Sequence, residues 1–146
     1  MLSTSTTSSD DGRTVGGGTV DWQDAERWVR DWLRDQGFID AALTNSGADG
    51  GVDVLGSQIA AQVKAHAGAI GRPDVQALHG AATALGRSGA VFSTGGFTAQ
   101  AVEWSTASGV ALFELREDDM DVRPVNAPAR SLATLDDAPS AEGARL

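Results

Sequence analysis

Cysteine is absent from this chain of 146 residues, and lysine occurs once, as Lys64. The missing thiols exclude disulfide bonds, a thiolate nucleophile and a cysteine-based zinc site, and they are typical of a reducing cytoplasm. No apolar run approaches the ~20 residues of a membrane span. The start of the chain also lacks the basic and apolar segments of a secretory signal. We therefore expect a cytoplasmic protein with no membrane partner.

Strong positive charge is also missing. The formal net charge is −9, divided into −1 for residues 1–19, −4 for residues 20–116 and −4 for residues 117–146. Some of the central acids are candidate metal ligands, whose charge a divalent cation would offset. Without a basic patch, tight DNA binding by this module alone is not favoured.

Composition divides the chain into three parts. Residues 1–19 are rich in Ser, Thr, Gly and Asp and predict a disordered arm, whereas residues 117–146 are acidic, hold three of the four prolines and predict a disordered tail. Residues 20–116 form the predicted domain, of α/β class. We expect a mixed central sheet flanked by helices in the order αβββαβαβ.

Periodicity and turn signals place these elements. A first helix up to about Gln36 carries an apolar stripe that includes three of the four tryptophans, and Trp104 fits the packed face of the third helix. Strands are predicted at 38–44, 52–55, 59–65, 89–94 and 110–115, with the second and third forming a hairpin. Helices are predicted at about 73–85 and 99–108, the latter capped by Thr98 and ended by Gly109.

Three polar side chains interrupt the predicted hairpin. Asp53 lies in one apolar strand, and Gln62 and Lys64 share one face of the next. Carboxylate, amide and backbone oxygens are ligands that Mg²⁺ accepts, so Asp53, Gln62 and the carbonyl of Val63 are candidate ligands. Lys64 could orient or deprotonate an attacking water and stabilise charge on a phosphate. Glu26, on the first helix, could add a second carboxylate.

A simple salt bridge between Asp53 and Lys64 on a solvated face is the alternative. Two observations count against it. The flanking residues are apolar, and a chain with ten arginines uses its one lysine here. The compact, tunable ammonium of lysine differs chemically from a guanidinium.

Several ordered segments resemble the catalytic domain of the Mrr-like type IV restriction endonucleases, a QxK branch of the PD-(D/E)xK nuclease superfamily. They run from about residue 22 to residue 115 and read Ala25-Glu26, Gly37-Phe38, residues 44–54, Ala61-Gln62-Val63-Lys64, residues 92–98 with Ala101, and residues 109–113. One such segment would be weak evidence, but the ordered set is fairly specific.

The resemblance implies Mg²⁺- or Mn²⁺-dependent hydrolysis of DNA phosphodiester bonds. It makes Asp53 the metal-binding acid, Lys64 the catalytic lysine and Glu26 the helix acid that completes the site. Gln62 occupies the position of the usual glutamate, and Asp49 matches a further motif acid. Compared with full-length family members we expect no separate recognition domain, so a homodimer or a separate DNA-recognition partner would deliver the substrate.

Three further residues have two interpretations each. His66 could contact phosphate or act as a hydrogen-bonded spacer. Thr98 begins a helix whose amino terminus could receive a DNA phosphate, but a cap is the commoner role. Ser93 could be a nucleophile on a sharp turn between a strand and a helix, although no GxSxG pattern surrounds it.

Three functions remain open from the sequence. The first is a metal-dependent DNA endonuclease of a restriction or defence system. The second is a non-cleaving DNA-binding or partner-docking module that keeps the fold, as the acidic balance suggests. The third is a nuclease that acts on RNA or DNA junctions, which only substrate competition would distinguish.

Overall fold

The computed structural model describes residues 21–44, 51–65 and 68–133. Within these ranges the chain forms four helices and one six-stranded sheet. The elements are α1 Trp22–Asp35, β1 Ala42–Leu43, β2 Val54–Leu55, β3 Ile59–Lys64, α2 Arg72–Leu85, β4 Ser88–Ser93, α3 Ala99–Ser108, β5 Ala111–Arg116, β6 Asp121–Pro124 and α4 Ala127–Ala133.

The sheet follows chain order, from β1 at one edge to β6 at the other. The first three strands pair antiparallel, β3, β4 and β5 pair parallel, and β6 returns antiparallel to β5. Each parallel pair is joined by a crossover helix, α2 or α3. The mixed sheet, the hairpin and the order αβββαβαβ up to residue 116 confirm the predicted fold class.

Two apolar layers enclose the sheet. Helices α1 and α4 cover one face, where Phe92 and Phe113 stack with ring centroids 4.7 Å apart and Trp32 packs edge-on against both. Helices α2 and α3 cover the other face through a second cluster that includes Leu78 and Val91. Central strands covered on both faces explain why β4 is a nearly continuous apolar run.

The predicted tail is wrong for its first half. Residues 121–133 form β6 and α4, which pack Val122 and Ala129 into the core. An edge strand tolerates the charges and the proline that made this segment look disordered, because one side of the strand needs no hydrogen-bonded partner. Residues 1–19 and 134–146, the rest of the predicted arm and tail, lie outside the described residues.

Asn126 attaches this first half of the predicted tail to the domain. Its side chain is 3% exposed. The Oδ1 atom accepts hydrogen bonds from the amides of Leu112 and Ala129, each at 3.1 Å. Its Nδ2 donates to Ser105 Oγ and to the carbonyl of Val110, each at 3.0 Å. One amide thus satisfies four buried polar groups on α3, β5 and α4.

Three smaller predictions also change. Trp22 is 48% exposed, so it is not part of the buried stripe, which begins one turn later at Ala25. Of the strand predicted at 38–44, only the two residues of β1 are in strand conformation. The predicted strand at 52–55 begins only at Val54, because Asp53 leaves the regular ladder.

No helix in the described part of the chain is long and apolar enough to cross a membrane.

Candidate active site

Where β2 begins, the carboxylate of Asp53 replaces a backbone carbonyl as a hydrogen-bond acceptor in the sheet. The Asp53 amide donates to the carbonyl of Ala61 at 2.8 Å, as a strand residue would. At the next step the amide of Val63 donates to Asp53 Oδ2, also at 2.8 Å. On the β1 side, the Thr44 amide donates to the backbone carbonyl of Asp53 at 3.0 Å. The half-buried Asp53 side chain is therefore fixed between two strands.

Helix α1 brings a second carboxyl group to the same place. Glu26 follows the fully buried Ala25, is half-buried itself, and forms a side-chain hydrogen bond with Asp53. Two carboxyl groups can share a hydrogen bond only when one of them holds a proton. Burial, the nearby charge of Asp53 and this hydrogen bond raise the pKa of Glu26 from 4.5 to about 7, against the lowering effect of Arg27.

Burial also raises the pKa of Asp53, although three contacts oppose the effect. They are the hydrogen bond from the Val63 amide, the hydrogen bond with Glu26 and the positive charge of Lys64. The pair resembles carboxyl pairs in which close like charges keep one proton bound near neutral pH. A divalent cation between the two groups would displace that proton.

Gln62 contributes a buried oxygen that has no hydrogen-bond partner among the described residues. This atom is Oε1 of the side-chain amide. Nε2 of the same amide packs against Gly51, whose φ is +91°, and a Cβ atom at Gly51 would lie 2.5 Å from it. A buried amide oxygen without a partner is costly, and such a group in a folded protein calls for an explanation such as a bound ion or water.

Val63 and Lys64 complete the set at the carboxyl end of β3. The amide and carbonyl of one strand residue project toward the same neighbouring strand. The Val63 amide binds Asp53, so the Val63 carbonyl faces the same side. The Lys64 carbonyl faces β4, where it accepts from the Thr94 amide at 3.1 Å.

The salt bridge of the alternative interpretation is missing from the described residues. Lys64 lies close enough to lower the pKa of Asp53 by its charge, but it forms no ion pair there. Its ammonium has no ion-pair partner among the described residues and lies beside the carboxyl pair. This arrangement favours contact with a negatively charged ligand over mutual neutralisation of Asp53 and Lys64.

The donor set fits Mg²⁺ or Mn²⁺. No group of three or more His, Cys, Asp or Glu side chains that could hold a metal occurs in the described ranges. For such an ion Glu26 and Asp53 would supply two charged oxygens, and Gln62 Oε1 and the Val63 carbonyl would supply two neutral ones. Mg²⁺ commonly binds through one or two carboxylates and keeps waters and substrate oxygens in its other positions.

The other sequence candidates have different outcomes. Asp49 and His66 lie outside the described residues. Thr98 caps α3, with Oγ1 accepting from the Ala101 amide at 3.1 Å, which confirms its capping role and leaves its contact with DNA a prediction. Ser93 is fully buried and shapes the next turn by bonding the amide of Gly95 and the carbonyl of Gly96. It is therefore no exposed nucleophile.

Comparison with known proteins identifies the family. The family model of the Mrr catalytic domain, described as a restriction endonuclease, matches residues 18–117, which is more than half of the chain. The chain belongs to the Mrr-type restriction endonuclease family. Searches of the curated proteins and of the solved structures gave no significant match.

The Mrr-type match confirms the family resemblance and agrees with the six-stranded mixed sheet. It ends at residue 117, so β6 and α4 lie beyond the matched segment. The assignment of individual residues to this Mrr-type site rests on the geometry above and stays a prediction.

The shared proton predicts a pH-dependent stability of the metal-free protein. Because the pKa of Glu26 is raised on folding, its stabilising contribution is complete below pH 4.5 and is lost as the pH rises through about 7. Glu26→Gln keeps the neutral side chain at every pH. In EDTA the variant should match the parent at about pH 5 and exceed it by on the order of 1 kcal/mol at about pH 8, after allowance for solvent screening.

Urea unfolding at the two pH values measures this difference. Glu103→Gln is the matched control, because it makes the same change on an exposed helix surface. The control should follow the parent at both pH values. Equal stability of Glu26→Gln and the parent across the whole range would show that Glu26 and Asp53 do not share a proton.

Proposed function

We propose that this chain is a divalent-metal-dependent endonuclease that hydrolyses DNA phosphodiester bonds, of the restriction or defence type. The buried Oε1 of Gln62, which has no hydrogen-bond partner among the described residues, is the observation that carries the proposal. It lies one residue before the amide that binds Asp53, and Asp53 is itself paired with Glu26. A buried carboxyl pair beside an amide oxygen that no described residue satisfies is unfavourable as a structural core but well suited to a cation.

The residues of this chain have separate tasks in the reaction. Asp53, Glu26, Gln62 and the Val63 carbonyl would hold the ion, which supplies Lewis-acid stabilisation of charge on the phosphoryl group. Lys64 is the protein's own cation in the site. Its ammonium orients the attacking water and stabilises the negative charge that develops on the phosphoryl oxygens. Water adds to phosphorus and gives its proton to the solvent, the bond from phosphorus to the leaving oxygen breaks, and that oxygen takes up a proton from the solvent.

With Gln62 in place of a glutamate, this site carries one negative charge fewer. The electrostatic attraction for the ion therefore depends more on Glu26, and on the phosphate that the substrate itself brings. Metal affinity should accordingly rise when DNA is bound. The raised pKa of Glu26 adds a requirement, since its proton has to leave before the carboxylate can bind the ion.

Supercoiled plasmid incubated with the protein tests the proposal. We expect nicked and then linear plasmid with Mg²⁺ or Mn²⁺, and unchanged plasmid with EDTA, because Lys64 without the divalent cation lacks the Lewis acid that polarises the phosphate. Retention of DNA on the protein without nicking under either metal would instead support the non-cleaving DNA-binding module.

A further inference from the structure

A groove lies between α2 and α3, apart from the carboxyl pair. Its volume is about 390 Å³, and its walls are Arg72 of α2 and four residues of α3: Gln100, Glu103, Trp104 and Ala107. The α3 residues recur at intervals of three and four, so they form one stripe along the helix surface. Arg72 and His79 are two turns apart and share the side of α2 that faces this stripe.

Arg72 gives the groove a positive charge. In the described part of the chain its guanidinium forms no hydrogen bond or ion pair. Most other described arginines are bound locally to a carboxylate or a carbonyl, namely Arg27, Arg30, Arg34, Arg87 and Arg123. An unpaired guanidinium at the rim of a groove is suited to phosphate, which it can bind through two parallel hydrogen bonds.

Trp104 gives the groove a rigid aromatic wall. The indole is half-buried against the second core cluster, and His79 packs edge-on against it with ring centroids 5.3 Å apart and an interplanar angle of 81°. These contacts hold the ring in one orientation. A fixed indole bordering an open groove can stack on any nucleobase.

Gln100 and Glu103 add polar groups beside the ring. Both side chains are exposed, and neither has a hydrogen-bond partner in the described ranges. The carboxylate of Glu103 would repel a phosphate, but it can accept from the exocyclic amino group of a base. The amide of Gln100 can both donate and accept. The groove thus separates a phosphate end at Arg72 from a base end at Trp104.

One end of the groove, at Arg72 and Gln100, lies at the edge of the sheet where Lys64 ends β3. Helix α2 follows the carboxyl end of β3, which carries Lys64, and α3 follows the carboxyl end of β4. The two connections are joined by a bridge between Ile70 and Phe97. In open α/β sheets ligands bind outside the carboxyl ends of the strands, and this end of the groove lies at that edge.

We propose that this groove binds one unpaired nucleotide of the DNA substrate, with its base stacked on Trp104 and its phosphate held by Arg72. The inference rests on the proposed nuclease function and extends it to the substrate. A base that stacks on a protein side chain has left the duplex stack. The substrate class is therefore DNA with a single-stranded segment or a displaced base near the cleaved bond.

The test uses the metal-free protein, so that binding is observed without cleavage. Deoxyadenosine monophosphate is titrated into ¹⁵N-labelled protein in EDTA, and the four tryptophan indole signals are followed. Trp104→Phe identifies the Trp104 signal, because that signal disappears from the spectrum. We expect the Trp104 signal to shift with saturation, whereas inorganic phosphate at the same concentration leaves it in place.

Matched arginine variants test the phosphate end. Arg72→Gln should weaken binding about tenfold, the usual effect of losing a charge-assisted hydrogen bond. Arg130→Gln removes an exposed arginine of α4, on the other face of the sheet, and should bind like the parent. Neither site lies in a buried cluster, so both variants should keep the parent's melting temperature.

Two results would overturn the groove assignment. One is a Trp104 signal that does not move while the protein stays folded, and the other is equal binding by Arg72→Gln and the parent. The titration in EDTA separates this proposal from the proposed function. A protein that nicks plasmid but shows no Trp104 response removes only the groove assignment. A protein that shows the response but cuts no DNA with either metal removes the nuclease activity, and with it the groove's assignment to a nuclease substrate.

Discussion

Lys64→Ala is expected to lower Mg²⁺-dependent plasmid nicking by roughly a thousandfold while the protein stays folded. The factor is that of removing one preorganised group that stabilises transition-state charge, or one positioned acid–base group. The fold should survive because Lys64 is half-buried at a strand end and forms no ion pair in the described ranges. Removing an unpaired ammonium leaves no partner unsatisfied. Initial nicking rates and a thermal melt measure the two halves of the prediction.

Arg130→Ala is the control for loss of positive charge. It removes one exposed cation from α4, which packs on β5 and β6 at the far edge of the sheet from β1 and β2. Its nicking rate should stay within about twofold of the parent, since one distant surface charge is largely screened. Cleavage by Lys64→Ala at the parental rate would show that the lysine is not catalytic.

Asn126→Ala is expected to destabilise the protein by about 2 to 4 kcal/mol, lowering the melting temperature by roughly 10 °C. The substitution leaves two amides, one carbonyl and one hydroxyl without their partner inside the core. The unfolded chain, by contrast, hydrates all of them. Urea unfolding followed by far-ultraviolet circular dichroism measures the change.

Gln76→Ala is the control for loss of an amide side chain. Gln76 is exposed on α2, so its removal should change stability by no more than about 0.5 kcal/mol. If Asn126→Ala unfolded like this control, residues 121–133 would not be docked as β6 and α4. The experiment therefore decides between the packed segment and the tail expected from composition.

Much of the fold could be predicted because local signals agreed with the tertiary packing. The third helix is an example. Thr98 supplies a side-chain cap, Gly109 adopts φ +88° at the end, and the helix spans Ala99–Ser108, as predicted. The crossover helices fix β3, β4 and β5 as parallel, since antiparallel neighbours would need only short turns.

Prediction failed where a distant partner decides the structure. The strand β6 pairs through Val122 with β5, and Asn126 is buried only because α3 and β5 surround it. Neither contact has a local signature in a segment rich in acids and proline. The prediction for Trp22 of α1 failed for the opposite reason, because a local signal for burial is not matched by the tertiary packing. Trp22 has the right spacing for burial, but packing of the helix begins only at Ala25.

The sequence by itself determined which chemical groups are available for the site. Asp53 and Gln62-Val63-Lys64 are close along the chain, and a hairpin brings them together whatever the rest of the protein does. The tertiary structure decided how these groups are used. Packing of α1 against the sheet places Glu26 on Asp53, and the irregular start of β2 lets the Asp53 carboxylate hold the Val63 amide. Burial then leaves the Gln62 oxygen without a hydrogen-bond partner among the described residues and raises the pKa of Glu26. Such effects depend on exclusion from solvent, which no local pattern encodes.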